Sequence, residues 1–241
     1  ESVVHLPHTY QSTDNRRQIS DRVFSRGELG LPENGFVFCS FNNNYKLTPD
    51  VFVVWMRLLH QVPGSVLWLL ESSSGISTQL HRSAAKHGIA PERIIFAGRM
   101  ASPEHLARQP LADLFLDSFH YNAHTTASDA LWAGLPVLTR LGNTFASRVA
   151  ASLLRAANLP ELVTQSTEDY EAMAVALATD PARLRTIRQK LAAQRDSCPL
   201  FDTPRFTRGI EAAYRAIWDR HLAGLPPAHI AIDDASLRAM R

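Results

Sequence analysis

The sequence predicts an α/β fold: a Rossmann-like open parallel sheet with helices on both faces. Short apolar runs alternate with segments of helical periodicity through residue 139, and helices dominate afterwards. One stretch, Asp117 to Thr139, reads as strand end, loop, helix and strand in direct succession. The 241 residues, 45% of them hydrophobic, suffice for one large domain or two small ones with a sizeable core.

Taken in order, Ser2 to Leu6 is a short strand candidate, and residues 8 to 34 are a polar connector in which Tyr10 and the Arg16–Arg17 pair read as surface residues. Phe36-Val-Phe-Cys-Ser-Phe41 is a buried strand. Asn42-Asn-Asn-Tyr-Lys46 leaves its carboxyl end, and Thr48 with Pro49 starts a helix whose core face is Phe52, Trp55, Met56 and Leu59. Val66 to Leu70 is the next strand. Residues 77 to 87 form a helix that ends at Gly88. Arg93 to Ala97 is a third strand, followed by a helix with Ser102 at the N-cap and Pro103 at the first helical position.

Leu111 to Asp117 is an apolar run that ends in a carboxylate. Thr125 and Thr126 then open a helix closed by Gly134, and Val137 to Thr139 is a strand. Helices follow over 145–157, 167–179, 181–195 and 205–222, and residues 223 to 241 read as a tail.

Loops at the carboxyl ends of parallel strands build ligand sites. The loop before Thr125 also ends at a helix N-terminus, whose free N–H groups and positive dipole end favour an anion. His124, Thr125 and Thr126 stand where side-chain donors would join them, and Asp129 lies one turn on, within reach of a ribose hydroxyl. Lys46 sits on the same edge of the sheet and could balance a diphosphate as a point charge. Each has a plainer reading: threonines are ordinary helix caps, and most lysines are solvated.

Several classes are excluded or disfavoured. The 25 Lys and Arg against 23 Asp and Glu argue against a dedicated nucleic-acid or membrane-surface binder. No run is apolar enough to span a bilayer, and no signal peptide is visible. Two cysteines make a disulfide framework improbable and fit a cytoplasmic location. The G-x-G-x-x-G fingerprint and the P-loop are absent. No Cys/His set has zinc spacing, and His120 with His124 is a weak metal signal, so no metal site is expected. The chain opens on Glu1 without an initiator Met, which suggests a piece of a longer protein.

A series of segments carries a resemblance. Phe41-Asn-Asn-Asn-Tyr-Lys46, Val62-Pro-Gly-Ser-Val-Leu-Trp-Leu-Leu70, Arg93-Ile-Ile-Phe96, Asn122-Ala-His-Thr-Thr126, Asp129-Ala-Leu-Trp-Ala-Gly134, Ala146-Ser-Arg-Val-Ala-Ala-Ser152 and Ser197-Cys-Pro-Leu-Phe201 together resemble the C-terminal catalytic lobe of the protein O-GlcNAc transferases, glycosyltransferase family 41. The order is right from about residue 1 to about 230, and the flavour is bacterial.

The resemblance implies a GT-B architecture, of which this chain is the nucleotide-sugar lobe. Residues 1–34 would be the end of the preceding lobe and a connector, 35–222 the UDP-sugar-binding lobe, and 223–241 the tail. An N-terminal catalytic lobe and tetratricopeptide repeats are expected elsewhere in the full-length protein.

The resemblance further implies inverting, metal-independent transfer of N-acetylglucosamine from UDP-GlcNAc to Ser or Thr hydroxyls of proteins, with no cofactor. By motif position, Lys46 would meet the diphosphate. His124, Thr125 and Thr126 would be phosphate and sugar donors, and Asp129 the ribose ligand. His105 would lie beside the uracil with Arg108 as a second contact, and Met100 would read the base through its backbone. Asn43 replaces a glutamine and Ser102 a lysine of better-known members. Two readings stay open beside this one: a UDP-glucose-dependent protein N-glycosyltransferase of the same family, and a non-catalytic UDP-sugar-binding module. A sugar-nucleotide epimerase of the same architecture is a weaker option.

Overall fold

The computed structural model describes residues 1–235. Its elements in chain order are β1 (Val4–His5), β2 (Val37–Ser40), α1 (Pro49–Gln61), β3 (Val66–Leu70), α2 (Ser74–Lys86), β4 (Ile94–Ala97), α3 (Ser102–Arg108), β5 (Leu114–Leu116), α4 (Thr125–Trp132), β6 (Val137–Arg140), α5 (Val149–Ala156), β7 (Val163–Thr164), α6 (Thr167–Thr179), α7 (Pro181–Gln194), α8 (Thr203–Leu222) and β8 (Ile230–Ala231).

The main sheet has six strands in the order β4-β3-β2-β5-β6-β7. Every pair is parallel. The chain builds outward from β2 to one edge, then returns to β5 and builds to the other, which is the doubly wound Rossmann-like order. The order reverses between β2 and β5, and the crevice outside their carboxyl ends is where such sheets take ligands. The strands are short and apolar because both faces are covered. Val37, Phe38 and Cys39 of β2 and all of β5 are buried.

Local chemistry explains most boundaries. Ser73, Ser166 and Asp180 cap α2, α6 and α7 by accepting backbone N–H bonds. Helix α4 ends in a Schellman arrangement: Leu135 N donates to Ala130 O, and Gly134 N to Leu131 O. Gly134 sits at φ 85°, which a side chain would resist.

Four expectations change. Ser102 is the first residue of α3 rather than its cap; Ala101 holds the cap position with no side-chain bond. The helix expected over 145–157 starts at Val149. Before it, Ser147 Oγ accepts from Thr144 N, and Gly142 N donates to Ser147 O, so a turn replaces the first helical turn. Helix α2 begins at Ser74 rather than 77 because Ser73 provides a cap. Part of the expected tail returns to the molecule: β8 pairs in parallel with β1, Val4 against Ile230. That pair lies over Ala212, Ala213 and Leu6, a small cluster separate from the main core. The last part of the expected tail, 236–241, lies outside the described residues.

Candidate functional site

The site is built where the strand order reverses. After β2 the chain runs Phe41, Asn42, Asn43 and then a short 3-10 turn, Asn44–Lys46. Lys46 N donates to Asn43 O at 3.0 Å, so the turn lifts the lysine over the neighbouring β5 loop. There Lys46 Nζ donates to the carbonyl of Asn122 at 2.8 Å and lies 4.0 Å from the centre of the Tyr121 ring. Burial lowers the Lys46 pKa, and the Asp117 carboxyl opposes that shift.

Asp117 directly follows β5 and is fully buried. Its Oδ1 accepts from Ser118 N at 2.8 Å and Ala123 N at 2.5 Å, and its Oδ2 accepts from Thr139 Oγ1 at 2.6 Å. The carboxyl group thus folds the whole 118–123 loop around itself. Burial pushes its pKa up to about 7, although those three donors and Lys46 all pull it down. Asn122 is equally fixed. Its Nδ2 donates to Ser118 O at 2.7 Å, and its N to Ala146 O at 2.9 Å.

The loop delivers the chain to the start of α4. Ser128 N makes the first helical bond, to His124 O at 3.1 Å, which leaves the N–H groups of the first turn pointing outward. Thr125 is exposed at that end. Thr126 Oγ1 donates to Asn42 Oδ1 at 2.6 Å, and Asn42 Nδ2 donates to Ser118 Oγ at 3.2 Å. Asn42 therefore ties the end of β2 to α4.

His124 Nδ1 lies 3.0 Å from Tyr10 Oη, and its Nε2 lies 3.5 Å from Ala146 O. A carbonyl only accepts, so the proton belongs on Nε2, and Tyr10 donates to Nδ1. Burial lowers the His124 pKa, the Ala146 carbonyl opposes that shift, and the Lys46 charge adds to it.

The β4 side adds His105 and Arg108, one turn apart on α3. Arg108 is buried, and its Nη1 donates to Gly98 O at 2.7 Å. Its Nε and Nη2 lie 3.1 Å and 2.8 Å from His105 Nδ1. A guanidinium has no acceptor, so Nδ1 is the bare nitrogen and Nε2 carries the hydrogen. Burial, then Arg108 and Arg17, lower the His105 pKa to about 4. Phe41 links this group to β2, with its ring 5.1 Å from that of His105. Met100 is half-buried on the loop after β4, and Asn43 is exposed.

The fold thus brings Asn43, Lys46, Met100, His105, Arg108, His124, Thr125, Thr126 and Asp129 to one edge of the sheet. Asp129 is not free there: Arg17 Nη1 donates to its Oδ1. Arg17 is therefore no loose surface residue, whereas Tyr10 is exposed as expected and still bonds His124. The sequence reading also missed Asn42, the role of Asn122, and the function of Asp117 as the loop's anchor. Asp117 had a signal, since an acid closing an apolar run must find donors. His120 pairs with Asp50 at 2.8 Å, away from His124. Among the described residues no group of three or more His, Cys, Asp or Glu is placed to hold a metal ion. Likewise, no helix is long and apolar enough to cross a membrane. Both cysteines are free and buried.

A doubly wound lobe with a lysine and a helix N-terminus at the switch point is one half of a GT-B glycosyltransferase. The family model for glycosyl transferase family 41 matches residues 4–210, and the chain belongs to that family. It is similar to the probable UDP-N-acetylglucosamine–peptide N-acetylglucosaminyltransferase SEC of Arabidopsis thaliana, with 38% identity covering 96% of this chain and 24% of that protein. It is similar also to the UDP-N-acetylglucosamine–peptide N-acetylglucosaminyltransferase of Caenorhabditis elegans, at 38% over 86% of this chain and 18% of that protein. Among solved structures, an O-GlcNAc transferase variant from Thermobaculum terrenum superposes with a TM-score of 0.73 and 34% identity, covering 76% of this chain and 36% of that one. The chain spans a quarter or less of the length of these two sequence relatives.

Proposed function

We propose that this chain supplies the donor-binding half of a protein O-GlcNAc transferase. The full-length protein would move N-acetylglucosamine from UDP-GlcNAc to Ser or Thr hydroxyls of proteins, with inversion and without a metal ion. The observation that carries this reading is Lys46 standing over the Asn122 carbonyl beside the open N-terminus of α4. As the bond to UDP breaks, negative charge grows on the departing phosphate. A preorganised ammonium and outward N–H groups are suited to meet it. In this reading they take the part that a divalent ion plays elsewhere.

His124 carries its hydrogen on Nε2, 3.5 Å from Ala146 O, so it is suited to donate to a phosphate or sugar oxygen. His105 likewise offers an Nε2–H to a uracil carbonyl, and Arg108 holds the ring in that tautomer. Thr125 and Thr126 add hydroxyls at the helix start, Asp129 accepts from the ribose, Asn43 lies at the rim, and the backbone at Met100 reads the base. The general base and the acceptor protein belong to parts of the enzyme outside this chain, with a preceding catalytic lobe and repeats as partners. Buried free thiols fit a reducing cytoplasm.

The test is calorimetric titration of the full-length protein with UDP in a metal chelator, repeated with Lys46→Ala, followed by transfer assays with UDP-GlcNAc and UDP-glucose. Chelator-resistant binding that weakens in the variant, with transfer from UDP-GlcNAc, is the expected result. Transfer from UDP-glucose alone would overturn the sugar assignment, and absence of UDP binding would overturn the site.

A further inference from the structure

The connector before β2 does not merely enter the domain. It crosses α4 as a strap, and two of its contacts fall on candidate site residues, His124 and Asp129. Tyr10 Oη meets His124 Nδ1 at 3.0 Å. Thr13 Oγ1 lies 2.9 Å from Ser128 Oγ, both side chains buried. Trp132 Nε1 donates to the carbonyl of Arg17 at 3.2 Å, and Ser20 N donates to Pro103 O at 3.1 Å. Thr203 Oγ1 closes the far side by donating to Thr13 O at 2.8 Å. The strap is therefore bonded to α4, α3 and α8 at once.

Arg17 occupies the centre of this path. Its Nη1 donates to Asp129 Oδ1, and its Nη2 lies 3.4 Å from Ser102 Oγ. Its side chain is only 22% exposed and that of Asp129 only 14%. Its charge is also felt at His105, where it lowers the imidazole pKa. One guanidinium thus faces the acid, the hydroxyl and the imidazole that line the nucleoside side of the crevice. Among the described residues no hydrogen bond engages Asp129 Oδ2. A carboxylate held by one oxygen in a charge-assisted bond is oriented as well as neutralised, and its second oxygen is presented in one direction.

We propose that Arg17 is a positioning residue of the donor site, which fixes Asp129 so that its second carboxylate oxygen accepts from the ribose hydroxyls of a uridine nucleotide. This rests on the donor-site reading above. It extends that site to a segment preceding the sheet. The guanidinium also places a cation beside Ser102, on the edge where the side chain itself carries none.

The experiment measures affinity of the full-length protein for UDP and for 2′,3′-dideoxy-UDP, in wild type, Arg17→Ala, Arg17→Lys and Asp129→Asn. Loss of one oriented, charge-assisted bond is expected to weaken UDP binding about tenfold in Arg17→Ala. The dideoxy nucleotide, which lacks the hydroxyls concerned, should bind wild type and Arg17→Ala alike. Arg17→Lys should recover part of the UDP affinity, and adding Arg17→Ala to Asp129→Asn should cost little more. A purely structural strap would instead weaken both nucleotides equally and lower the melting temperature in step, and that outcome overturns the proposal. Wild-type affinity for UDP in Arg17→Ala overturns it too, while leaving the donor site standing. Failure of wild type to bind either nucleotide overturns the donor site, and this proposal with it.

Discussion

Lys46 Nζ donates to the Asn122 carbonyl at 2.8 Å, so an ammonium bridges the two loops flanking the reversal of strand order. The bond takes one of three N–H donors, and the other two remain for a ligand. Burial has already lowered the lysine's pKa, and an anion in the crevice would raise it again. Lys46→Ala should therefore lower turnover of the full-length enzyme by about two to three powers of ten, the usual cost of a preorganised charge donor. Steady-state kinetics at saturating UDP-GlcNAc would show it. Turnover within a few-fold of wild type would remove Lys46 from the mechanism.

Beneath that lysine, Asp117 sets a second expectation, this one about pH. Its folded pKa of about 7 stands above the ordinary carboxylate value, chiefly through burial. A raised carboxyl pKa contributes stability below the unfolded value, and that contribution is lost as pH rises through the folded one. Asp117→Asn removes the titration and leaves the Ser118, Ala123 and Thr139 donors with one acceptor oxygen in place of two. The variant should be less stable by about 1–3 kcal/mol. The gap to wild type should be wider at pH 5 than at pH 8. Urea melts of both proteins at those pH values measure it, and a gap that widens with pH would contradict the assignment.

His105 responds in the opposite sense. Its folded pKa of about 4 lies below the ordinary imidazole value, first through burial and then through Arg108 and Arg17. The unfolded chain therefore binds a proton that the folded chain refuses, and this residue costs stability as pH falls from about 6.5 to 4. In Arg108→Ala the imidazole loses a neighbouring cation and both donors on Nδ1, so its pKa should rise. Nitrogen NMR of labelled histidine should find His105 as the neutral Nε2–H tautomer at pH 6 in wild type. A protonated ring at that pH would overturn the reading.

What the sequence made legible, and what it hid, divides along the range of the interaction. The strands announced themselves because a sheet covered on both faces leaves only apolar runs, as in Phe36 to Phe41. The end of helix α4 was readable from Gly134, since local backbone chemistry sets it, whereas at its start His124 holds the cap position with no side-chain bond and the two threonines do not cap. The placement of Lys46 and His124 on one edge followed from alternation alone. Arg17 with Asp129 and Tyr10 with His124 stayed hidden, because each pair is separated by more than a hundred residues and no periodicity links them. A polar connector rich in arginine looks the same whether it is solvated or strapped across a helix. Ser147 misled for a similar reason. It sits in a helical pattern, yet its hydroxyl competes for backbone groups and delays α5 to Val149.

The last expectation concerns Asn42, which appeared in the sequence only as the first of three asparagines. It is buried, and it receives the Thr126 hydroxyl at 2.6 Å while donating to Ser118 Oγ at 3.2 Å. Ser118 in turn donates to Tyr121 O at 2.7 Å, so one chain of hydrogen bonds runs from α4 through the loop after β2 into the loop under Lys46. Thr126→Val keeps the shape but removes the donor, leaving Asn42 Oδ1 unsatisfied, at a cost of about 1–3 kcal/mol. Asn42→Ala removes the acceptor and the Ser118 contact together. If the two residues act as a unit, the double variant should be less destabilised than the sum of the singles, by roughly 0.5–3 kcal/mol. Denaturant melts of the four proteins complete the cycle. Strict additivity would mean that the 2.6 Å bond between Thr126 and Asn42 contributes nothing.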